Sequence, residues 1–365
     1  MAATEPVVSQ TALPSLTGMR MLAAGAVFFT HIRWVLPSGT VLAVGGHHLT
    51  IDRVLLNGGL GVNFFFMLSG FVLAWSWRPG VSSPVFYGRR VARVWPSHAV
   101  TWVAFLLASI AVVSLRPSVA GALSGVVLLQ SWTKSTAFAV NPVAWTLSCE
   151  AFFYLMFPPA WALVRRLSPQ ALLGAALVVG CVPFALSVLV HDRFFVTTFP
   201  PSRLWEFLLG LMLARAVRMG WIRRVPPVWC SVVLLALVVA ANSLVRHQVF
   251  AVAAEMVPFA GIIVGGALSD LRGRTGWLHS PAAQAAGRAS FAFYLVHVLA
   301  IELVDDRYGR HAFGWPASLA WSALLLAVAC GLAAALHLLV EQPAERTLRA
   351  RWSPAPRPAV ATGIE

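Results

Sequence analysis

The stretch "MRMLAAGAVFFTHIRW", Met19–Trp34, decides how the chain is read. It is almost wholly apolar, yet Arg20 and His31 sit inside it. Eleven residues at about 100° each come to roughly three turns, so the two side chains share a helical face, separated by roughly 16 Å along the axis. Either one alone has a bland explanation: His31 could bond a neighbouring helix, and Arg20 could snorkel to the membrane surface. A shared polar stripe on a greasy helix argues instead for one common cavity.

Outward from this stretch the same composition continues. Of the 365 residues 59% are hydrophobic and 11% charged, against about 25% charged in soluble domains, and the mean hydropathy is +0.77. Runs near the ~20 residues needed to cross a ~30 Å hydrocarbon core as helix recur at 19–36, 58–77, 94–115, 144–164, 171–190, 203–218, 227–245, 250–268, 288–304 and 317–340. The expected fold class is all-α, a polytopic membrane helical bundle of about ten transmembrane helices. An eleventh run, 119–131, is short and is expected to be interfacial or re-entrant. Residues 1–15 are polar, with neither the basic start nor the separate apolar core of a cleavable signal, so the first span is expected to serve as its own signal. The transmembrane domain is then expected over 16–345, with a disordered tail at 346–365.

The formal net charge is +14. Lys and Arg divide roughly two to one in favour of the side that would hold the N-terminus, as in cytoplasmic loops of membrane proteins. The charge therefore reads as topology, with both termini cytoplasmic, and not as a nucleic-acid partner. The four cysteines, Cys149, Cys181, Cys230 and Cys330, all fall in apolar runs without pairing or metal spacing and are expected to be small packing residues.

Several further segments carry polar side chains at membrane depth. In "GGLGVNFFFMLSGFVLAWSW", Asn63 and Gly70 lie seven apart on one face, with Ser69 beside them, a pattern that suits a close helix contact. In "FYGRRVARVWPSH", Arg90 and Arg93 are helical neighbours. They read either as topology and lipid-phosphate contacts or as a fork for a phosphorylated ligand. "NPVAWTLSCEAFFYLMFPP" places Thr146, Glu150 and Tyr154 on one face by steps of four, with Ser148 nearby; Glu150 is a helix staple or part of a site. Arg203, Phe207 and Gly210 share a face in "SRLWEFLLG", where Arg203 and Glu206 can pair. Ser290, Tyr294 and His297 form a stripe in "RASFAFYLVHVLAI".

These segments, in this order, resemble the acyltransferase-3 family of integral membrane acyltransferases. The resemblance runs through "GMRMLAAGAVFFTH", "FFFMLSGF", Arg90-x-x-Arg93, "WTLSCEAFFY", "SFAFYLVH" and Glu341-x-Pro343, and covers nearly the whole chain. Thr146 stands where the family pattern has Ser and Phe291 where Tyr is common, which makes both poor choices for essential chemistry. The resemblance implies a roughly ten-helix bacterial multi-pass membrane protein that transfers an acyl group to a hydroxyl, with no bound cofactor and with acetyl-CoA or another short-chain acyl-CoA as co-substrate. The opening segment looks like the antibiotic-modifying branch, which implies a macrolide or its sugar as the hydroxylated acceptor. The alternative within the family is O-acetylation of cell-surface polysaccharide. A proton-coupled transporter or flippase is the alternative of another class, disfavoured because no inverted repeat is evident.

On this basis His31 is expected to act as general base, with Arg20 holding the donor or a neighbouring carboxylate and Glu150 orienting a partner. Arg90, Arg93 and Ser69 are expected at the donor. Ser148, Tyr294, His297 and Arg203 are expected in support.

Overall fold

The computed structural model describes residues 12–37, 40–44, 47–51, 55, 59–112, 116–244 and 248–351. Each of the ten apolar runs is a helix. They are α1 (Pro14–Ile32), α2 (Leu60–Ser76), α3 (Ser83–Ala111), α5 (Trp145–Val164), α6 (Pro169–Leu189), α8 (Leu204–Arg218), α9 (Val228–Leu244), α10 (Gln248–Leu271), α11 (Pro281–Tyr308) and α12 (Trp315–Leu336). The short helices α4 (Val119–Val126) and α7 (Arg193–Thr197) lie in the connections, and α13 (Gln342–Arg351) follows α12 through a π-helical turn at His337–Glu341. Among the described residues one element departs from an all-helical fold: a two-stranded antiparallel pair, β1 (Thr40–Val44) with β2 (His47–Thr50), between α1 and α2.

Among the described residues, six helices are long and apolar enough to cross a membrane: α3, α5, α6, α10, α11 and the continuous stretch from α12 into α13. Helices α2 and α9 are apolar but shorter; the 17 residues of α2 reach about 26 Å at 1.5 Å each. The 119–131 run forms the eight-residue α4 and a 3₁₀ turn at Gln130–Trp132, too little helix to span. Residues 346–351, expected with the tail, belong to α13; residues 1–11 and 352–365 lie outside the described residues. Cys149 alone among the cysteines is buried, whereas Cys181 and Cys330 face outward from their helices and pack nothing inside.

Two close approaches set the centre of the bundle. A Cβ on Gly70 would come within 2.0 Å of the Phe207 carbonyl oxygen, and one on Gly210 within 2.0 Å of the Met67 carbonyl oxygen. The backbones of α2 and α8 therefore touch, as small residues allow in membrane helices. Seven residues before each of these glycines, Arg203, the residue just ahead of α8, donates to Asn63 Oδ1 of α2 at 2.5 Å. Contacts in the same order along both chains mean that α2 and α8 run parallel. Helices α1 and α11 also run parallel: Gln284 donates to the Pro14 carbonyl at 2.8 Å near their starts, and His297 meets His31 at 3.2 Å further along. Helices α3 and α5 run antiparallel, since Phe86 stacks on Phe157 and Arg90 lies over Tyr154. The start of α1 has no side-chain cap of its own; Asp270 at the end of α10 accepts from Ser15 N at 2.9 Å and Ser15 Oγ at 2.6 Å and so satisfies an orphan N–H there.

Gly70→Val should force α2 and α8 apart and destabilise the purified protein by about 1–3 kcal/mol or more, the range for overpacking. Gly174→Ala, whose Cβ would meet nothing within 4 Å, should melt like the wild type. Thermal melting of both variants in the same detergent tests this; equal melting of the two would remove the α2–α8 contact as a constraint.

Candidate functional site

A cavity of about 380 Å³ opens among α1, α2, α3, α5 and α11, a volume within the usual range for small-molecule sites. Its wall follows α2 from Val62 to Ser76, a run of about 21 Å. One end is polar: Arg20, Arg90, Arg93, Ser76, Glu150 and Tyr154. The other is apolar and aromatic, with Val62, Phe65, Phe66, Leu147, Phe291 and Tyr294.

The polar end is held by opposite charges and aromatic faces. Glu150 accepts from Ser69 Oγ at 3.4 Å and from the Tyr154 hydroxyl. The Arg90 guanidinium lies 5.8 Å over the Phe86 ring and 5.9 Å over the Tyr154 ring. Arg93 pairs with Glu345 of α13 at 3.6 Å. Glu341 is 3% exposed in the π-helical turn, where His337 Nδ1 donates to it at 2.8 Å and the Gln342 amide donates to His337 Nε2 at 2.9 Å. Irregular turns of this kind recur at functional sites.

Beyond the aromatic end lies a histidine pair. The Tyr294 ring is 5.8 Å from the His297 ring, which is 5.1 Å from His31. His297 is fully buried, stacked on Phe293 with ring centroids 5.7 Å apart. Its Nδ1 faces the Phe293 carbonyl at 3.2 Å, and the Nδ1 of His31 faces the Val27 carbonyl at 2.9 Å. A carbonyl only accepts, so both Nδ1 atoms carry hydrogen. The one His31 Nδ1–H is then shared between the Val27 carbonyl at 2.9 Å and His297 Nε2, which accepts at 3.2 Å. This pattern leaves the basic lone pair of His31 on Nε2.

Of the residues expected from sequence, Arg20, Ser69, Arg90, Arg93, Glu150 and Tyr294 line the cavity together, and His31 and His297 pair beyond it. Ser148 and Arg203 do not line it. Ser148 donates to the Leu128 carbonyl at 2.7 Å. Arg203 pairs with Glu206 at 2.8 Å, and Asn63 links it to Glu255, which also accepts from Asn242. Arg203 reaches the cavity only through Phe66, whose ring it covers at 5.4 Å. Tyr294 lines the cavity but donates its hydroxyl to the Val143 carbonyl at 3.1 Å and accepts from Thr146 at 2.9 Å. Thr146 and Phe291, set aside on sequence, both form part of the wall. Tyr154 was visible as one step of the Thr146–Glu150–Tyr154 face; nothing local in the sequence pointed to Glu345.

The family model described as "Acyltransferase domain" matches residues 13–338. Acyltransferase MdmB of Streptomyces mycarofaciens is 36% identical over 96% of both chains. Exopolysaccharide production protein ExoZ of Rhizobium meliloti is 29% identical over 84% of this chain and 93% of its own. O-acetyltransferase OatA of Staphylococcus aureus is 24% identical over 58% of this chain and 36% of its own. No solved structure matches. A family match over nearly the whole length, on a framework of apolar helices that places the matching motifs around one cavity and its adjoining histidine pair, makes this chain a member of the acyltransferase-3 family and an acyltransferase of the membrane.

Proposed function

We propose that the protein is a bacterial multi-pass membrane O-acyltransferase that moves a short acyl group from acyl-CoA to a hydroxyl of a macrolide-type antibiotic or its sugar. The observation that carries this reading is the order of groups along one path: arginines at one end of the cavity, an apolar barrel, then the His31–His297 pair behind Tyr294. Arg20, Arg90 and Arg93 suit the phosphates of the donor, since guanidinium forks match phosphate oxygens. The apolar length suits the arm that carries the thioester.

His31 Nε2 takes the proton of the acceptor hydroxyl as its oxygen attacks the thioester carbonyl carbon. The C–S bond then breaks and the thiolate recovers that proton from His31, so an ester and free CoA thiol leave. His297 accepts from His31 Nδ1–H throughout, which fixes the ring and steadies the imidazolium, the orienting role a carboxylate takes in a hydrolase triad. Glu345 holds Arg93 in place, and Glu150 orients Ser69 and Tyr154 beside the arginines. Ser148 and Tyr294 already donate to backbone carbonyls, and Ser69, bonded to Glu150 at 3.4 Å, belongs with the arginines at the donor.

The opening segment that looks like the antibiotic-modifying branch supports the macrolide acceptor, together with the acyltransferase relative that matches over 96% of both chains. The likeness to a protein named for exopolysaccharide production supports polysaccharide as the second reading. Incubating purified protein with acetyl-, propionyl- and butyryl-CoA and each acceptor class, read by acceptor mass and thiol release, separates the two. His31→Ala should lower kcat by about 10²–10⁴-fold with KM values held. His297→Ala should lower kcat by at least about tenfold, and His297→Gln, whose amide oxygen can accept from Nδ1–H, should recover part of it. Wild-type turnover in His31→Ala would remove the base; a loss in His297→Ala that Gln does not relieve would reduce His297 to packing.

Arg90→Ala and Arg93→Ala should raise KM for acyl-CoA far more than for the acceptor, with Lys a partial replacement. An unchanged donor KM in the double variant would return both residues to topology.

Ten spans with both termini cytoplasmic complete the reading. The parallel pairs α1 with α11 and α2 with α8, and the antiparallel α3 with α5, are the directions that ten alternating crossings require, and they support it. In a cysteine-free background, Ser135→Cys should react with an impermeant thiol reagent on intact cells, and Ser82→Cys only in inverted vesicles. The opposite pattern would place the arginines away from cytoplasmic acyl-CoA and overturn direct transfer.

A further inference from the structure

A second, smaller cleft of about 110 Å³ lies beside the arginine end of the main cavity, where α2 ends, α3 begins and α5 ends. Its walls are aromatic. Phe157 and Trp161 lie nearly coplanar in orientation, 5° apart with centroids at 6.4 Å, and Phe86 stacks on Phe157 at 5.0 Å. Trp77 closes the side, 5.9 Å from Trp161. The Arg165 guanidinium sits at the rim, 5.3 Å over the Trp77 ring.

Two simpler explanations fit poorly. Aromatic residues do gather at membrane interfaces, but there they turn their rings towards headgroups. Phe157 and Trp161 are each only 2% exposed and line the cleft from within the bundle. Nor do neighbouring side chains fill the cleft, which stays open over about 110 Å³. A hollow with aromatic walls suits a flat heteroaromatic ring, since every such ring has a π-face to stack. A guanidinium at its rim suits an anion attached to that ring.

The two cavities are neighbours across one pair of side chains. Phe86 lines the small cleft, and Arg90, which lines the large cavity, lies 5.8 Å over the same ring. We propose that the small cleft seats the purine of the acyl-CoA donor, with Arg165 at the phosphate on its ribose. Arg90 and Arg93 then meet the diphosphate, and the pantetheine arm runs along α2 towards Tyr294. This rests on acyl-CoA being the donor and adds where the nucleotide binds.

The test uses three donors with the purified full chain: acetyl-CoA, acetyl-3′-dephospho-CoA and acetyl-phosphopantetheine, which lacks the nucleotide. Two variants are made, Arg165→Gln at an exposed position and Trp77→Leu at the half-buried wall. Arg165→Gln should raise KM for acetyl-CoA by about tenfold and leave KM for the dephospho donor unchanged. Trp77→Leu should raise KM for both nucleotide donors by about five- to a hundredfold, as loss of a base stack does, and leave acetyl-phosphopantetheine unchanged. kcat should hold throughout. Equal shifts for all three donors, or none, would overturn the assignment while leaving acyl-CoA as donor, as would a wild-type KM that ignores the nucleotide. A wild type that accepts none of the three, yet acylates with another donor, would overturn the donor reading and this one with it.

Discussion

A guanidinium inside a bundle of apolar helices must be met by acceptors, because an unpaired buried charge costs several kcal/mol. That constraint organises this structure twice. In the first instance Arg203 is closed in by Glu206 and Asn63, with Glu255 and Asn242 behind them, and the whole cluster is sealed between α2, α8, α9 and α10. In the second, Arg93 is met by Glu345 and Arg90 by the Phe86 and Tyr154 rings, with Arg20 and Glu150 on the same cavity wall, yet the space between them stays hollow. The same residue types thus make a clasp in one place and a cavity in the other. What differs is how the guanidinium is held: 2.5–2.8 Å contacts lock Arg203, whereas Arg93 stands 3.6 Å from Glu345 and Arg90 lies 5.8 and 5.9 Å over two aromatic rings. A site whose native partners are loosely held can exchange them for a ligand's oxygens at low cost.

The clasp serves the cavity through α2. Asn63 fixes the start of this helix to α8, and the Gly70–Gly210 approach fixes its middle. Between those two points lie Phe65, Phe66 and Ser69, which form the cavity wall. Helix α11 has the matching role on the other side. It is tied to α1 at Pro14 by Gln284 and again at His31 by His297, so Ser290 and Tyr294 between them have little freedom to move. Sites built on helices held at two points keep the sub-ångström geometry that catalysis needs better than sites on loops.

Much of this was legible in the chain. The Arg20–His31 stripe, the step of four from Thr146 to Tyr154 and the Ser290–Tyr294–His297 face each report one helix surface, and helical periodicity is a local property. The same reading saw a seven-residue interval twice, Asn63 to Gly70 and Arg203 to Gly210, as two separate facts. That these two intervals face each other is a statement about packing between distant segments, and no local pattern contains it. The roles of Ser148 and Tyr294 were hidden for a related reason. Their hydroxyls go to the carbonyls of Leu128 and Val143, groups every residue possesses and no sequence distinguishes. The strand pair at Thr40–Thr50 went unread because its 40–50 stretch sits between two much stronger apolar runs.

The division of the path into a charged end and a histidine end has a physical reason. A fixed cation near an imidazole opposes its protonation, and the effect decays with distance and dielectric. Arg20 and His31 share a face but stand roughly 16 Å apart along α1, so a guanidinium and an imidazole can coexist on one helix. Between them the wall is apolar, with Phe65, Phe66 and Tyr294, which keeps bulk water from bridging the two ends. A pair of neutral rings suits the far end better than an Asp–His couple would. His297 accepts a hydrogen bond without bringing a second charge into a region that is otherwise Phe28, Phe293, Ile32 and Ile301. The sealed clasp, the hollow arginine cluster and the neutral histidine pair are therefore three answers to one problem, the placing of polar chemistry where water does not solvate it.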